Sequence, residues 1–220
     1  MSITAPRSQS ISRREMLFGT GALLLTACGE GTGAAQQTTR RNTSRTATPE
    51  AAKLIAAARD QIGVTLSYDP AYTRLAFPNG DVPRAKGVCT DVVIRAYRDA
   101  LAADLQSLVN ADMKAAFTAY PKRWGLRRPD ANIDHRRVPN LETFLTRKGA
   151  RLPLPTRLDA WQPGDIFTSL VGTGLPHIGI VSDRWGADMI PVVIHNIGAG
   201  TREEPITPVG RLTGHFRWRV

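Results

Sequence analysis

The last third of the chain contains four short β-rich runs, and this feature restricts the fold more than any other. Turn-forming residues separate the runs, as they do between neighbouring strands of a sheet. The segments with helical periodicity come earlier in the chain. Helices first and strands last predict an α+β fold, in which helices pack on a small antiparallel β-sheet. The four runs read PGDIFTSLVG, HIGIVSDRW, IPVVIHNIG and LTGHFRWRV.

Four segments before residue 150 have apolar residues at helical spacing. The segment 49–61 begins with a proline, which suits the first turn of a helix. A second pattern begins near Cys89 and has one apolar face, so we expect that face to be buried. Further helices are expected over about 105–117 and in the run NLETFLTRKG, which a glycine ends. A long loop rich in Pro, Gly, Asp and Asn leads into Cys89, and loops of this length are functional or disordered.

The N-terminus has the layout of a secretory signal peptide, which we assign to residues 1–27. A basic start precedes an apolar run over 16–25 that is too short to span a bilayer. Residues 12–17, SRREML, resemble a twin-arginine export signal. The sequence LTAC ending at Cys28 resembles a bacterial lipobox, which implies that Cys28 is lipidated and becomes the first mature residue. An ordinary signal peptide with a chance cysteine is the alternative.

Residues 28–47 are small and polar, and such a segment cannot bury enough surface to fold. We therefore expect a flexible tether there, followed by one domain over 48–220. A lipid anchor and a tether predict a periplasmic protein held at a membrane. Gly29 does not look like an inner-membrane retention signal, which favours the outer membrane.

The chain is strongly basic, with a net charge of +10, so an anionic partner is expected. An exported protein seldom meets nucleic acid, and we expect none as a partner. Anionic lipid headgroups and the carboxylate-rich cell wall fit better. The alternative is a basic surface that has no specific partner. We expect the protein to be a monomer and to use no cofactor.

Cys89 has no partner for a disulfide if Cys28 is lipidated, because the chain has two cysteines. Exported proteins use cysteine mostly in pairs. An odd thiol therefore indicates intermolecular pairing, a buried inert side chain or a reactive nucleophile. The start of a helix carries partial positive charge, which favours the thiolate. We therefore expect a thiolate at Cys89.

Two histidines lie in the β-rich runs and are candidate partners for this thiol. His177 opens HIGIVSD and His195 lies in VVIHNIG. If these runs are adjacent antiparallel strands, both imidazoles can lie near the helix start, and the order Cys, His, polar residue supplies a nucleophile, a base and an orienting group. Asn196 is a rival for the orienting role. Each residue alone is more often structural.

Three of these stretches together resemble the NlpC-type cell-wall cysteine peptidases, a papain-like superfamily. The stretches are GVCTDVVIRAYRDA, WQPGDIFTSLVGTGLPHIGIVSD and VVIHNIG, within about 62–197. The resemblance implies a papain-like NlpC-type fold with Cys89, His177 and His195 as the catalytic residues. This chain has Val-Cys-Thr where members of the superfamily commonly have Asp-Cys-Ser. Within the superfamily it looks closest to an uncharacterised bacterial envelope group, a domain of unknown function, which shares DANIDHRRVPNL and LTGHFRW.

The resemblance also implies a substrate class, the amide bonds of peptidoglycan stem peptides. Tyr68 and Asp69 lie in the loop before Cys89, a region that lines the groove of similar enzymes. Arginine binds carboxylates in a fork geometry. Because stem peptides carry free carboxylates, Arg136 and Arg137 are candidate substrate clamps, although a solvated salt-bridged loop is equally consistent with the sequence.

Other classes of function stay open at this point. The chain can be a catalytically inactive lipoprotein that binds wall or lipid, or a lipid acyltransferase on the same fold. By residue type, Cys89, His135, His177 and His195 suit a zinc site, but no close ligand pair supports one, and we expect no metal.

Overall fold

The computed structural model describes residues 43–220 and has an antiparallel β-sheet with four α-helices. The α+β class expected from the sequence is confirmed. The helices are α1 Pro49–Arg59, α2 Cys89–Leu101, α3 Leu105–Ala115 and α4 Val138–Arg147. The strands are β1 Thr43–Ser44, β2 Ser67–Tyr68, β3 Lys86–Gly87, β4 Arg151–Leu152, β5 Ile166–Val171, β6 Leu175–Trp185, β7 Pro191–Asn196, β8 Thr201–Pro205 and β9 Arg211–Phe216.

The helices begin where the sequence supplies partners for their first N–H groups. The Thr48 side chain accepts from the amide of Ala51 at the start of α1. Asp104 accepts from the amide of Gln106 at the start of α3. These caps satisfy donors that have no partner within the helix. Gly149 follows α4 with a positive φ of 72°, as expected for the residue that ends a helix.

The main sheet has the strand order β4-β9-β5-β6-β7-β8, and β1 pairs with the far end of β6. Every pair in this sheet is antiparallel. Strands β6 and β7, which carry the two candidate histidines, are adjacent as expected. A separate pair of two-residue strands, β2 and β3, runs parallel just before α2.

The two faces of the sheet belong to two apolar clusters. Ile178 and Ile180 of β6 pack in the cluster that contains the buried faces of the helices. Val181, with Phe167 of β5 and Val193 of β7, packs in a second cluster on the other side. The alternation follows from the pleat of a strand, in which successive side chains point to opposite faces. A side chain on β6 therefore contacts the helices or the second cluster according to its position.

The long loop between α1 and α2 is fixed by one buried arginine of α2. Arg95 is fully buried and forms a salt bridge with Asp81 at 3.0 Å. Its guanidinium also donates to the carbonyl oxygens of Val82 and Lys86 and to the hydroxyl of Thr65. These contacts hold strands β2 and β3, and with them Tyr68, beside the start of α2.

One boundary and one strand differ from the sequence prediction. The predicted tether extended to residue 47, but Thr43–Ser44 form β1 and Arg45 lies over the ring of Trp185 at 4.7 Å. Backbone pairing and a cation–π contact order this segment, and Ala47 at its end packs against the helical cluster. Strand β8 was not predicted, because its sequence TREEP has no β-rich pattern. The predicted signal peptide, Cys28 and the first part of the tether lie outside the described residues.

Within residues 43–220, none of the helices has the length and apolar character that crossing a bilayer would require.

Candidate active site

Cys89 is the first residue of α2, and its thiol is buried, with 3% of the residue exposed. Asp91 caps this helix start, because its carboxylate accepts from the amide of Val88 at 2.7 Å. The amide of Ile178 and the hydroxyl of Tyr68 lie close enough to the Cys89 sulfur to lower the pKa of the thiol. The thiol therefore lies between the loop before α2 and the start of β6.

The thiolate expected at Cys89 is wrong for the resting structure. Burial, and to a lesser extent the carboxylate of Asp91, raise the pKa of the thiol from 9.0 to about 11. The hydrogen bonds from Ile178, Tyr68 and Thr90 lower the pKa but do not outweigh the loss of solvent. The position of Cys89 at a helix start is visible in the sequence, but the burial of its thiol is visible only in the structure.

His177 and His195 form a hydrogen-bonded pair that continues to a carboxylate. The Nε2 atom of His177 lies 2.7 Å from Nδ1 of His195. The Nε2 atom of His195 lies 2.8 Å from Oε1 of Glu204 on β8. Both imidazoles are buried. Burial, and then the charge of His195, lower the pKa of His177 to about 3. Burial also lowers the pKa of His195, although Glu204 opposes the shift.

Within the described part of the chain, no hydrogen bond joins the thiol directly to the histidine pair. The two are connected through the start of β6, where His177 and Ile178 are neighbours in sequence. The amide of Ile178, one residue after His177, is near enough to the Cys89 sulfur to lower its pKa, and Pro176 lines the same cavity as Cys89. The ring of His177 lies on the opposite face of the strand, 5.9 Å from Phe167 between ring centroids. Within residues 43–220, neither imidazole is hydrogen-bonded to the sulfur.

Asn196, the rival orienting residue, makes other contacts. Its side-chain amide donates to the carbonyl oxygens of Gly87 at 3.1 Å and Ser67 at 3.4 Å. These bonds tie β2 and β3 to the end of β7. Asn196 therefore holds the loop that carries Tyr68, and His195 is the group in contact with His177.

Arg136 is directed at the helix that carries the thiol. Its Nε and Nη2 atoms donate to the two carboxylate oxygens of Asp91, at 2.9 and 2.8 Å. Both side chains are buried, 2% and 4% exposed. The fork that the sequence analysis assigned to a substrate carboxylate is thus occupied by an internal one. Arg136 connects the short helical turn Asp134–Arg136 to the start of α2.

Arg137 lies at the wall of a cavity of about 240 Å³ that opens beside Cys89. Its guanidinium stacks on the ring of Trp124 at 4.2 Å and forms a salt bridge with Asp134 at 2.9 Å. Arg123 lies over the same ring at 5.5 Å. The residues that line the cavity include three arginines and no acid: Tyr68, Pro70, Val88, Cys89, Arg123, Trp124, Ile133, Arg136, Arg137, Val138, Pro139 and Pro176.

The two loop residues singled out in the sequence have different positions. Tyr68 lines the cavity, and burial raises the pKa of its hydroxyl, as does the neighbouring Cys89. Asp69 is not among the lining residues. Its carboxylate pairs with Lys86 at 2.6 Å and accepts from the amide of Ala71, and both contacts lower its pKa. Asp69 therefore shapes the loop that carries Tyr68.

The remaining histidines lie elsewhere. His135 is buried, which lowers its pKa to about 4. His215 contacts Asp165 at 2.8 Å and the carbonyl oxygen of Pro153 at 2.9 Å, and it packs on Trp161. The part of the chain that the structure describes has no group of three or more His, Cys, Asp or Glu side chains that could hold a metal ion.

Sequence reasoning missed two residues of this site. Glu204 lies in β8, whose charged sequence gave no strand signal, and its position follows only from the pairing of β7 with β8. Trp124 lies in a basic loop, and only the structure brings it to the cavity beside Cys89.

The chain belongs to a bacterial family whose activity is not established. The model of the family described as Domain of unknown function (DUF1287) matches residues 55–218. These boundaries include Cys89, both histidines and Glu204. The expected relation to an uncharacterised group is therefore confirmed at the level of this family.

A curated relative is the Uncharacterized protein YijF of Escherichia coli (strain K12). It is 53% identical over 163 residues, which cover 74% of this chain and 79% of that protein. No solved structure matches the chain.

Proposed function

We propose that this protein is a thiol hydrolase of the NlpC type that cleaves amide bonds in anionic cell-wall peptides. The observation that carries the proposal is that adjacent residues of β6 lie beside the Cys89 sulfur and begin a hydrogen-bonded series of two histidines and a glutamate. The amide of Ile178 lies close enough to the Cys89 sulfur to lower its pKa, and the adjacent His177 begins the hydrogen-bonded series His177, His195 and Glu204.

The architecture supports the assignment to a papain-like fold. A cysteine begins a buried helix, and that helix packs on an antiparallel sheet whose adjacent strands carry two hydrogen-bonded histidines. In this reading Cys89 is the nucleophile, His177 is the base and His195 holds the ring of His177. The pairing of β6 with β7 and the position of Cys89 at the start of α2 agree with the motifs that the sequence shares with the superfamily.

The proposed reaction has two steps. Because the ring of His177 lies on the face of β6 opposite the thiol, the reaction requires a rearrangement at the start of β6 that brings Nδ1 of His177 to the sulfur. The thiol proton then moves to Nδ1 of His177 as the sulfur attacks the amide carbonyl, and the C–N bond breaks as the leaving amine takes that proton. Water then attacks the thioester carbonyl and gives a proton to His177. The C–S bond breaks, the leaving sulfur takes that proton back from His177 as the thiol, and the acid product leaves. Backbone N–H groups at the start of α2 stabilise the oxyanion.

The pKa shifts define the resting state of this reaction. The pKa of Cys89 is raised to about 11 and that of His177 is lowered to about 3, so both groups are neutral near pH 7. The protein therefore stores no thiolate–imidazolium pair. Proton transfer has to accompany binding of the substrate, which brings a polar amide into the cavity beside the sulfur.

The cavity supports an anionic substrate. Arg123 is exposed and stacks on Trp124, while Arg137 is stacked on the same ring. Arg136 is buried with its partner Asp91, whereas Arg137 stays partly exposed although it pairs with Asp134, so a ligand in the cavity can reach the two stacked guanidiniums. A stem peptide of the cell wall offers free carboxylates to these groups. Export and lipidation at Cys28 would bring the enzyme to that substrate in the periplasm.

A second candidate function is a catalytically inactive wall-binding protein. The burial of Cys89 and its raised pKa favour this reading, because an inert cysteine has these properties. The cavity and its arginines would then bind the peptide without cleaving it.

Digestion of purified muropeptides by the full-length chain separates the two functions. The hydrolase is expected to release new peptide products, and Cys89→Ala is expected to release none while still binding the substrate. Tyr72→Phe is a matched control, because Tyr72 is exposed and its hydroxyl contacts Asp130 outside this cavity. Binding without any new product in the wild type would support the inactive reading.

A further inference from the structure

We propose that Glu204 is a positioning residue that sets the protonation of both histidines, so that Nδ1 of His177 is the free base. The inference gains its catalytic meaning from the proposed function, but the protonation states themselves can be measured without a substrate. Glu204 lies outside the motifs that the sequence analysis singled out.

The direction of the hydrogen bonds follows from the end of the series. An ionised carboxylate only accepts hydrogen bonds. Glu204 therefore fixes the proton of His195 on Nε2, 2.8 Å away. The Nδ1 atom of a neutral His195 then has a lone pair and accepts from Nε2–H of His177, at 2.7 Å. The remaining nitrogen of His177, Nδ1, carries no proton.

The location of Glu204 explains why this one carboxylate reaches the pair. Strand β8 pairs with β7 so that His195 lies opposite Arg202 and Val193 lies opposite Glu204. Alternate residues of β8 share a face, so Glu204 lies on the face that carries the imidazoles. Arg202 lies on that face too, and its charge lowers the pKa of His195 and so favours the neutral ring.

The adjacent residue, Glu203, provides an internal comparison. It points to the other face of the sheet, where it pairs with Arg59 at 2.7 Å and Arg184 at 2.9 Å. Glu203→Gln removes the same charge from the same strand without touching either imidazole. It is therefore a matched control for Glu204→Gln.

Two-bond ¹⁵N–¹H spectra of the full-length chain labelled at histidine test the proposal, because they distinguish protonated from unprotonated ring nitrogens. At pH 7.5 the wild type is expected to show Nε2–H and bare Nδ1 for His177 and His195. In Glu204→Gln the amide accepts less strongly and can also donate, so the ratio of the two forms is expected to fall by about tenfold. Glu204→Asp is expected to restore part of the preference, and Glu203→Gln is expected to change nothing.

Two results would overturn the proposal. One is a wild-type His195 that carries its proton on Nδ1. The other is a Glu204→Gln protein whose two histidines give the same spectra as the wild type. A loss of folding in Glu204→Gln would show as a loss of dispersion in the amide spectrum of a uniformly ¹⁵N-labelled sample, and Glu204→Asp then carries the test.

Failure of this inference and failure of the proposed function give different results. If spectra change as expected but muropeptides are not cleaved, Glu204 sets the protonation of an inactive site. If muropeptides are cleaved in a Cys89-dependent manner but Glu204→Gln keeps the wild-type rate and spectra, the hydrolase stands and the role of Glu204 is wrong.

Discussion

Arg136 holds both carboxylate oxygens of Asp91, two residues after Cys89, in a buried ion pair at 2.9 and 2.8 Å. The same carboxylate accepts from the amide of Val88, so a single side chain caps α2 and joins it to the turn before α4. This relation makes Arg136 part of the frame that positions the thiol. It also gives a prediction that separates a structural arginine from a substrate clamp.

Arg136→Ala is expected to lower the free energy of unfolding by about 3–5 kcal/mol, because it leaves the buried carboxylate of Asp91 without its counter-charge. Urea unfolding followed by circular dichroism measures the change. The double variant with Asp91→Asn is expected to recover part of the loss, since the unpaired charge is then gone. A variant as stable as the wild type, with weaker peptide binding, would instead support the clamp assigned from the sequence.

The reactivity of Cys89 is expected to reflect its raised pKa. The rate constant for alkylation by iodoacetamide should rise about tenfold per pH unit from pH 7 towards 10, because only the thiolate reacts. Peptide mass mapping of the Cys89 peptide gives the rate. A rate that levels off below pH 8 would show a stored thiolate and contradict the resting state described above.

Tyr68→Phe removes one of the hydrogen bonds that lower the pKa of the thiol. Alkylation of Cys89 at pH 8 is therefore expected to slow severalfold, in line with the energy of one hydrogen bond. Tyr72→Phe is the matched control. A faster reaction in Tyr68→Phe would mean that the phenol ring shields the sulfur more than its hydroxyl stabilises the thiolate.

The buried histidines predict how stability depends on pH. Burial lowers the pKa of His177 to about 3 and that of His135 to about 4, from 6.5 in the unfolded chain. Below pH 6.5 the unfolded state binds protons that the folded state does not, so their contribution is complete above pH 6.5 and is lost as the pH falls towards those values. Each histidine removes up to about 1.4 kcal/mol per pH unit. Urea unfolding at pH 7, 6 and 5 measures the slope, and His135→Gln is expected to reduce it. Equal stability at pH 7 and pH 5 would contradict the lowered pKa values.

The paired arginines at Trp124 predict charge selectivity. Arg137→Ala and Arg123→Ala are expected to raise KM for peptides with free carboxylates severalfold and to leave kcat nearly unchanged, because they remove binding rather than chemistry. Amidated peptides should show little effect. Arg127→Ala is the control, since Arg127 is exposed and lines a separate cavity. Equal losses for charged and amidated peptides would contradict an anion-binding role.

Much of the fold could be predicted from the spacing of apolar and β-branched residues within short segments of the sequence. The helical period after Cys89 predicted α2, and the β-rich runs predicted the strands that carry His177 and His195. These elements have strong local signals, and their order determined the fold class.

The rest depended on contacts between distant parts of the chain. Strand β8 forms because its backbone pairs with β7, although its side chains are charged, so Glu204 had no local signal. The pairing of Arg136 with Asp91 joins residues 45 positions apart. The sign of the shift at Cys89 required burial, which a helix-start argument omits. Local charge predicted a thiolate, and the surrounding core reverses that prediction.

The most direct test of the account is whether Cys89 becomes acylated during turnover. The full-length chain is mixed with purified muropeptides, quenched in acid and examined by intact-mass spectrometry and peptide mapping. The account predicts a transient mass increase equal to the acyl fragment, located on Cys89 and absent from Cys89→Ala. Cleavage that proceeds without this adduct, and persists in Cys89→Ala, would contradict it.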